Sequence, residues 1–330
     1  MERIRSNSPC WCGSNAKYKR CHGNRRLLQR KPVPIGVVTP PRVVPEHIAR
    51  PDYVTTGTVG TPRGYQIQDD DSLPRLRRAC QVAAEVLHEA GRAVAPGITT
   101  DQIDAIAHQA YVDRGAYPSD LHYKGFTKSI CTSVNGVICH GVPDDRPLED
   151  GDIVNIDVTA YLDGMHGDTS ATFIVGTIDE PTRALVETTR QAMLRGIDAV
   201  WPGEPLRRIG EAIEPFARSR GFSVVREYGG HGIGATFHAA PHIHHHVERH
   251  DTEPFQVGMT FTIEPMLLSG GTTFTQAADG WTEHIDDHLP SAQFEHTVLV
   301  TSTGAEILTV TADGTSATTT PTDVLADSRT

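Results

Sequence analysis

Four stretches of the chain carry apolar residues at helical spacing, at about residues 74–94, 99–114, 181–200 and 205–220. They form two pairs, each interrupted by Pro-Gly and followed by shorter runs with the pattern of strands. The pairs resemble each other. AVAPGITTDQI (93–103) aligns with AVWPGEPLRRI (199–209) at an offset of 106, through Val94/Val200, Pro96/Pro202, Gly97/Gly203, Ile103/Ile209 and Gly115/Gly221. The shared order of elements predicts a duplicated α/β unit, two halves about a pseudo-twofold with antiparallel strands inside and helices outside. That is an α+β architecture. A site is expected in the cleft between the halves, where ligands usually bind.

The flanks read differently. Residues 32–62 contain seven prolines and little periodicity, so residues 32–73 are expected to be a stiff linker that wraps or leads to a main domain over 74–310. Residues 311–330 lack aromatics and read as a disordered tail. No run of about 18 apolar residues and no charged-then-apolar leader is present, so neither a membrane span nor a signal peptide is expected. Of the six cysteines, Cys10, Cys12 and Cys21 crowd the N-terminus while Cys80, Cys131 and Cys139 are scattered. That is no disulfide framework, and it suits a reducing cytoplasm.

Charge divides the chain further. Residues 1–31 hold nine Lys/Arg against Glu2 alone, a local +8 within a net charge of −11. Such asymmetry predicts a basic appendage that meets something anionic, on an otherwise acidic soluble domain.

Candidate chemistry begins at NIDVTAYLDGMHGDTSATF (155–173), two strand-like runs folded about Asp163-Gly164. With a two-residue turn there, Asp157 faces Ser170 and Asp168 is the diagonal neighbour, so both carboxylates leave one face of the hairpin. Asp is poorly placed inside strands, and two like charges this close call for a cation between them. A divalent metal fits, as does a capping role for one Asp with the other solvated. The second half offers His231 and His238 in EYGGHGIGATFHAAP (227–241), Glu264 in FTIEPM (261–266) and Glu295 in SAQFEHTVLV (291–300). Two Asp, two Glu and one His make an oxygen-rich set too anionic for one ion, which suggests a bridged pair.

Taken together, NGVICHGVP (135–143), NIDV (155–158), GDTSATF (167–173), GGHGIG…FH (229–238), FTIEPM and QFEHT (293–297) resemble the type I methionine aminopeptidases. The resemblance covers roughly residues 74–310 and implies the pita-bread fold shared with creatinase and prolidase. It implies that Asp157, Asp168, His231, Glu264 and Glu295 bind two divalent ions, for which Co, Mn, Fe and Zn all suit the ligands. It implies an enzyme that removes the initiator methionine of nascent polypeptides by metal-activated water when the second residue is small. In that reading Glu264 shuttles the proton, His238 meets the developing oxyanion and His140 the substrate backbone. The methionine pocket is implied to be lined by Tyr123, Phe126, Cys131, Phe237 and Trp281, an aromatic and soft-sulfur set. The protein is expected to act as a monomer. An Xaa-Pro peptidase of the same fold, or an inactive relative that binds ribosomes or nucleic acid, are the alternatives.

There are departures. Acidic residues usually follow the second histidine in that family, whereas Ala239 and Ala240 follow His238. His242, His244, His245, His246 and His250 then fill a stretch that reads as a solvated loop with incidental metal affinity.

At the N-terminus, SPCWCGSNAKYKRCHGN (8–24) spaces Cys10, Cys12, Cys21 and His22 for one tetrahedral structural zinc. It resembles the SEC-C motif, a small zinc module also found at the tail of the bacterial translocase ATPase. Lys17, Lys19, Arg20, Arg25 and Arg26 around it suit a phosphate backbone, and an enzyme that trims nascent chains works beside the ribosome. Ribosome contact through residues 1–31 is the expectation.

Overall fold

The computed structural model describes residues 6–8, 17–20, 35–60 and 64–316. Cys10, Cys12, Cys21 and His22 lie outside the described residues, as does everything after residue 316. Among those described, the helices are α1 (Asp52–Thr56), α2 (Ser72–Arg92), α3 (Thr100–Asp113), α4 (Glu180–Asp198) and α5 (Arg208–Ser219). The last four fall within about three residues of the spans expected from periodicity.

Local chemistry explains their ends. Asp69 Oδ1 accepts from the Ser72 N–H at 2.8 Å as α2 starts. Thr99 and Gln102 form a reciprocal capping box at α3. Asp179 accepts from the Thr182 N–H at 2.8 Å at α4, with proline in the first turn. The glycines paired by the internal repeat share a backbone conformation. Gly97 and Gly203 have φ of 93° and 86°, and Gly115 and Gly221 have 65° and 86°. These left-handed values let the chain reverse after each helix without a Cβ clash.

The strands, in chain order, are β1 (Tyr117–Pro118), β2 (Cys131–Val134), β3 (Ile153–Leu162), β4 (Met165–Ile174), β5 (Ser223–Val224), β6 (Gly230–Gly232), β7 (Ala239–Ile243), β8 (Thr260–Ile263), β9 (Met266–Leu268), β10 (Phe274–Gln276), β11 (Glu283–Ile285), β12 (Ser291–Gln293), β13 (Glu295–Thr301) and β14 (Gly304–Ile307). The main sheet runs β1-β3-β4-β13-β8-β6-β7, with β2 on β3 and β14 on β13. The strands β12-β9-β5 and β10-β11 make two smaller sheets. Pairing is antiparallel throughout the main sheet.

Helices cover this sheet on the side away from the site. α2 packs on β3 and β4, and the α4–α5 pair packs near β9 and β12. The core joins Leu87, Ile103, Ile156, Phe173, Leu185, Ile213, Phe261 and Phe294, each buried. The α2–β4 contact is close enough to dictate a residue. A Cβ on Gly167 would stand 2.4 Å from the backbone nitrogen of Cys80, so only glycine lets helix and strand meet there.

The proline-rich stretch lies against the domain over its described part. Val44, Ile48 and Tyr53 are buried, and the Tyr53 hydroxyl donates to the Ser119 carbonyl. Arg42 reaches Asp104 Oδ2 and Asp101 Oδ2, each at 3.0 Å. Asp101 also pairs with the buried Lys128 ammonium, to which Thr39 adds a hydroxyl at 2.6 Å. A buried ammonium is costly unless paired and hydrogen-bonded in this way.

Candidate metal centre

The hairpin β3–β4 places the first two carboxylates. Leu162 pairs with Met165, so Asp163 and Gly164 are the whole loop, with φ of 52° and 78°. Both positive values mark the hairpin turn whose twist matches the strands. That turn sets Asp157 opposite Ser170 and Thr159 opposite Asp168. β13 then lies against β4 with Glu295 opposite Ser170. Asp157, Asp168 and Glu295 therefore share one face of three adjacent strands.

The other two residues arrive from β6 and the end of β8. The Nε2 atom of His231 lies 3.7 Å from Asp168 Oδ2 and 3.7 Å from Glu264 Oε1. One ligand atom each from Asp168, His231 and Glu295 falls within a mutual 4.8 Å, a grouping with the reach of a metal site. Thr262 ties two of the elements together. Its hydroxyl accepts from the His231 N–H at 3.0 Å and donates to Glu264 Oε1 at 2.7 Å. Gln293 Nε2 donates to Glu264 Oε2 at 3.2 Å, and the Thr159 hydroxyl donates to Asp168 Oδ1 at 2.8 Å.

Electrostatics point to a cation. Asp168, Glu264 and Glu295 are buried, and among the described residues no Lys or Arg pairs with them or with Asp157. Burial pushes the Asp157 carboxyl up to about 7 and the Glu264 carboxyl up to about 8. Burial and then the neighbouring carboxylates hold Asp168 and Glu295 well above the usual range. Burial moves His231 the other way, to about 4, leaving a neutral imidazole able to ligate. Oxygen-rich, neutral-His donors without a protein cation fit a divalent metal.

A ring-lined cleft adjoins these groups. His238 lies 4.1 Å from His231 between ring centres, 4.2 Å from Phe237 and 5.1 Å from Tyr123. Phe126 packs edge-on to Trp281 at 5.1 Å, and His140 approaches Trp281 at 6.5 Å. Cys131 is the strand partner of Asp157, so the thiol-bearing residue and the carboxylate are direct neighbours. His140 holds a left-handed φ of 55°, a conformation uncommon outside glycine. Burial keeps His140 neutral with its pKa near 4, and it lowers His238 well below the ordinary value. Of the residues anticipated from the sequence, Tyr123, Phe237 and His238 thus stand beside His231, Cys131 beside Asp157, and Phe126, His140 and Trp281 pack with one another.

Comparison with known proteins identifies the chain's relatives. The model of metallopeptidase family M24 matches residues 74–302, and the SEC-C motif matches residues 7–24. Methionine aminopeptidase 1D, mitochondrial, of Danio rerio is 48% identical over 316 residues, covering 94% of this chain and 93% of the relative. Methionine aminopeptidase 2 of Mycobacterium tuberculosis is 51% identical over 276 residues, covering 83% and 96%. The chain belongs to the methionine aminopeptidases of metallopeptidase family M24. The crystal structure of methionine aminopeptidase from Rickettsia prowazekii superposes with a TM-score of 0.73 at 43% identity, over 75% of this chain and all of that one. The fold is the pita-bread fold of the methionine aminopeptidases, as the motifs implied.

Several residues of this methionine aminopeptidase site escaped the sequence reading. Asp120 sits at the end of β1 with a buried Oδ2 that has no hydrogen-bond partner. Burial and the nearby Asp157 raise its carboxyl well above the ordinary value. Nothing in Ser119-Asp120 separates it from a turn residue. Thr262 was findable, since it stands two residues before Glu264 and alternation puts both on one face. The histidine-rich stretch needs correction. It is not simply a solvated loop, because His245 is 2% exposed and its Nε2 accepts from the Glu264 N–H at 3.1 Å. Among five neighbouring histidines, only packing tells which one turns inward.

The pKa shifts set a pH dependence for protein stripped of metal. A carboxyl raised in the folded state keeps a proton the unfolded chain has released, so stability falls as pH rises towards the folded value. Lowered imidazoles act oppositely, but their effect is complete by about pH 6.5, the unfolded value. Above that, Asp157 near 7 and Glu264 near 8, with Asp168 and Glu295 raised, govern the trend. In chelator, stability should fall between pH 6.5 and 8.5 by on the order of 1 kcal/mol per pH unit for each retained proton. Saturating Mn²⁺ should remove most of that loss. Urea denaturation at three pH values, with EDTA and with Mn²⁺, measures both arms, and a flat profile in EDTA contradicts the assignment.

Proposed function

We propose that this protein is a methionyl aminopeptidase that removes the N-terminal methionine of nascent chains, with residues 74–310 as its catalytic domain. The observation that carries the proposal is the buried set Asp157, Asp168, His231, Glu264 and Glu295 beside a cleft of aromatic rings and Cys131. These five residues would hold two divalent ions, of which Co, Mn, Fe and Zn suit the donors. When bound, such ions lower the pKa of water enough to supply a nucleophile at neutral pH.

The chain's own residues do the rest. Glu264, as a carboxylate facing the ions it would help to hold, is placed to accept a proton and return it to the leaving amine. Thr262 and Gln293 hold its two oxygens in place for that transfer. His238, neutral and packed between His231, Phe237 and Tyr123, can hydrogen-bond the carbonyl oxygen as charge develops. His140, beside Trp281 and Tyr228, is placed to bind the substrate backbone. Tyr123, Phe126, Cys131, Phe237 and Trp281 form the methionine pocket, where an unbranched thioether meets ring edges and a buried thiol.

We place the enzyme in the cytoplasm as a monomer. The free thiols of Cys80, Cys131 and Cys139 suit a reducing compartment, and no described helix is long and apolar enough to cross a membrane. Residues 1–31 are read as a zinc module whose basic residues contact the ribosome, on the support of the SEC-C match and the local charge.

Hydrolysis of Met-Ala-Ser but not of Ala-Pro peptides, abolished by chelator, tests the activity. Turnover of the Ala-Pro peptides alone would make the protein an Xaa-Pro peptidase instead. Glu264→Gln should keep the fold while lowering kcat at least about a hundredfold, the scale of lost general acid–base help. A near-normal kcat would remove Glu264 from proton transfer.

Bulk at the second substrate residue would push the carbonyl away from the nucleophile, and about 1 Å of displacement can cost around a hundredfold. Cleavage should therefore be efficient before Gly, Ala, Ser, Thr, Pro, Val or Cys and poor before Lys, Arg, Leu or Phe. Ala239 and Ala240, small side chains after His238, should soften this preference. The ratio of kcat/KM for Met-Ala-Ser over Met-Leu-Ser measures it, and a ratio near one overturns the steric account.

Cys10→Ser with Cys21→Ser should eliminate N-terminal zinc and weaken co-sedimentation with ribosomes while sparing short-peptide hydrolysis. Unchanged co-sedimentation would send the module to another partner.

A further inference from the structure

The residues after His238 hold a second cluster of imidazoles that the catalytic chemistry does not use. His242 lies on β7, and the chain then turns so that three rings follow one another. The centres of His242 and His244 are 4.5 Å apart, and those of His244 and His246 are 5.0 Å apart. Two imidazoles sharing one tetrahedral ion have ring centres about 5 Å apart, given metal–nitrogen bonds of about 2 Å. Each neighbouring pair of rings has that separation, while the ligand atoms of the three are not yet gathered within 4.8 Å of one another.

Three further observations favour an ion. The Asp251 carboxylate takes the Nδ1 of His244 at 2.5 Å, which fixes the tautomer and leaves Nε2 as the free ligand. Carboxylates serve metal-bound histidines in this way. The ring of His246 is 6% exposed, and its buried Nδ1 has no hydrogen-bond partner. A buried polar nitrogen without a partner costs free energy that a bound ion would offset. Burial also holds His246 below the ordinary imidazole range, in the neutral form that ligates. The guanidinium of Arg226 near His246 is itself engaged by Glu214 at 2.6 Å.

We propose that His242, His244 and His246, with Asp251 orienting the middle ring, bind a second kind of metal ion, a nitrogen-preferring divalent cation such as Zn²⁺ or Ni²⁺. The site shares no ligand with the catalytic set. His242 stands opposite His231 in the β6–β7 ladder, one strand outward from that centre. The rings meet edge to face, so the exposed His242 ring turns to close the site on the ion. Closure ties β7 to the turn at residues 244–251. That turn carries His245, whose Nε2 accepts from the Glu264 N–H. The bound ion is thus structural, a clamp whose loss lowers stability rather than turnover.

The test uses the full-length protein dialysed against Ni²⁺ and its ion content measured by mass spectrometry. His242→Gln, a change at an exposed ring, and the double variant His242→Ala/His244→Ala should each retain one ion fewer than the wild type. Both should keep the circular dichroism of the parent and its hydrolysis of Met-Ala-Ser in added Mn²⁺. Thermal stability should rise with Ni²⁺ more in the parent than in either variant. Equal ion content in parent and variants overturns the proposal. So does loss of an ion only together with peptide hydrolysis, because that ion then belongs to the catalytic centre. The ion count reads the site even if the protein cleaves no methionyl peptide.

Discussion

Four carboxylates held on one buried patch of a β-sheet repel each other, and much of this structure is arranged around that fact. Burial lifts Asp157 to about 7, burial with the Asp157 charge lifts Glu264 to about 8, and burial with the neighbouring carboxylates holds Asp168 and Glu295 well above the usual range. No described lysine or arginine relieves them. A sheet without a cationic side chain at such a patch invites a metal, and the neutral His231 completes a donor set for one.

Keeping such groups together requires a rigid frame, because repulsion would otherwise spread them. The frame is the antiparallel sheet, whose register makes Asp157, Ser170 and Glu295 a row across three strands. Hydrogen bonds from Thr159, Thr262 and Gln293 hold individual carboxylate oxygens. Behind the sheet, α2 approaches β4 so closely that position 167 has room only for glycine. The chain from residue 35 to 60 is bound to α3 through Thr39 and Arg42 and to the Ser119 carbonyl through Tyr53. Geometry precise enough for catalysis rests on packing of this kind.

His245 and the three rings around it extend the same theme. One histidine is recruited inward to accept from the Glu264 backbone, and its neighbours remain available for a ligand of their own.

The sequence by itself determined the elements and the chemistry. Helical periodicity placed four helices, the Asp163-Gly164 turn placed the hairpin, and the period of two put Asp157 and Asp168 on one face. Those features are local, set by turn chemistry and side-chain alternation within a few residues. The family resemblance supplied the partners from distant strands. Only the tertiary structure decided which polar residues joined them. Asp120 at a strand end, Gln293 one strand away and His245 within a polar run carry no local mark, because their roles come from neighbours more than a dozen residues off in sequence. Burial of a polar side chain is a property of the assembled fold, and no window of sequence contains it.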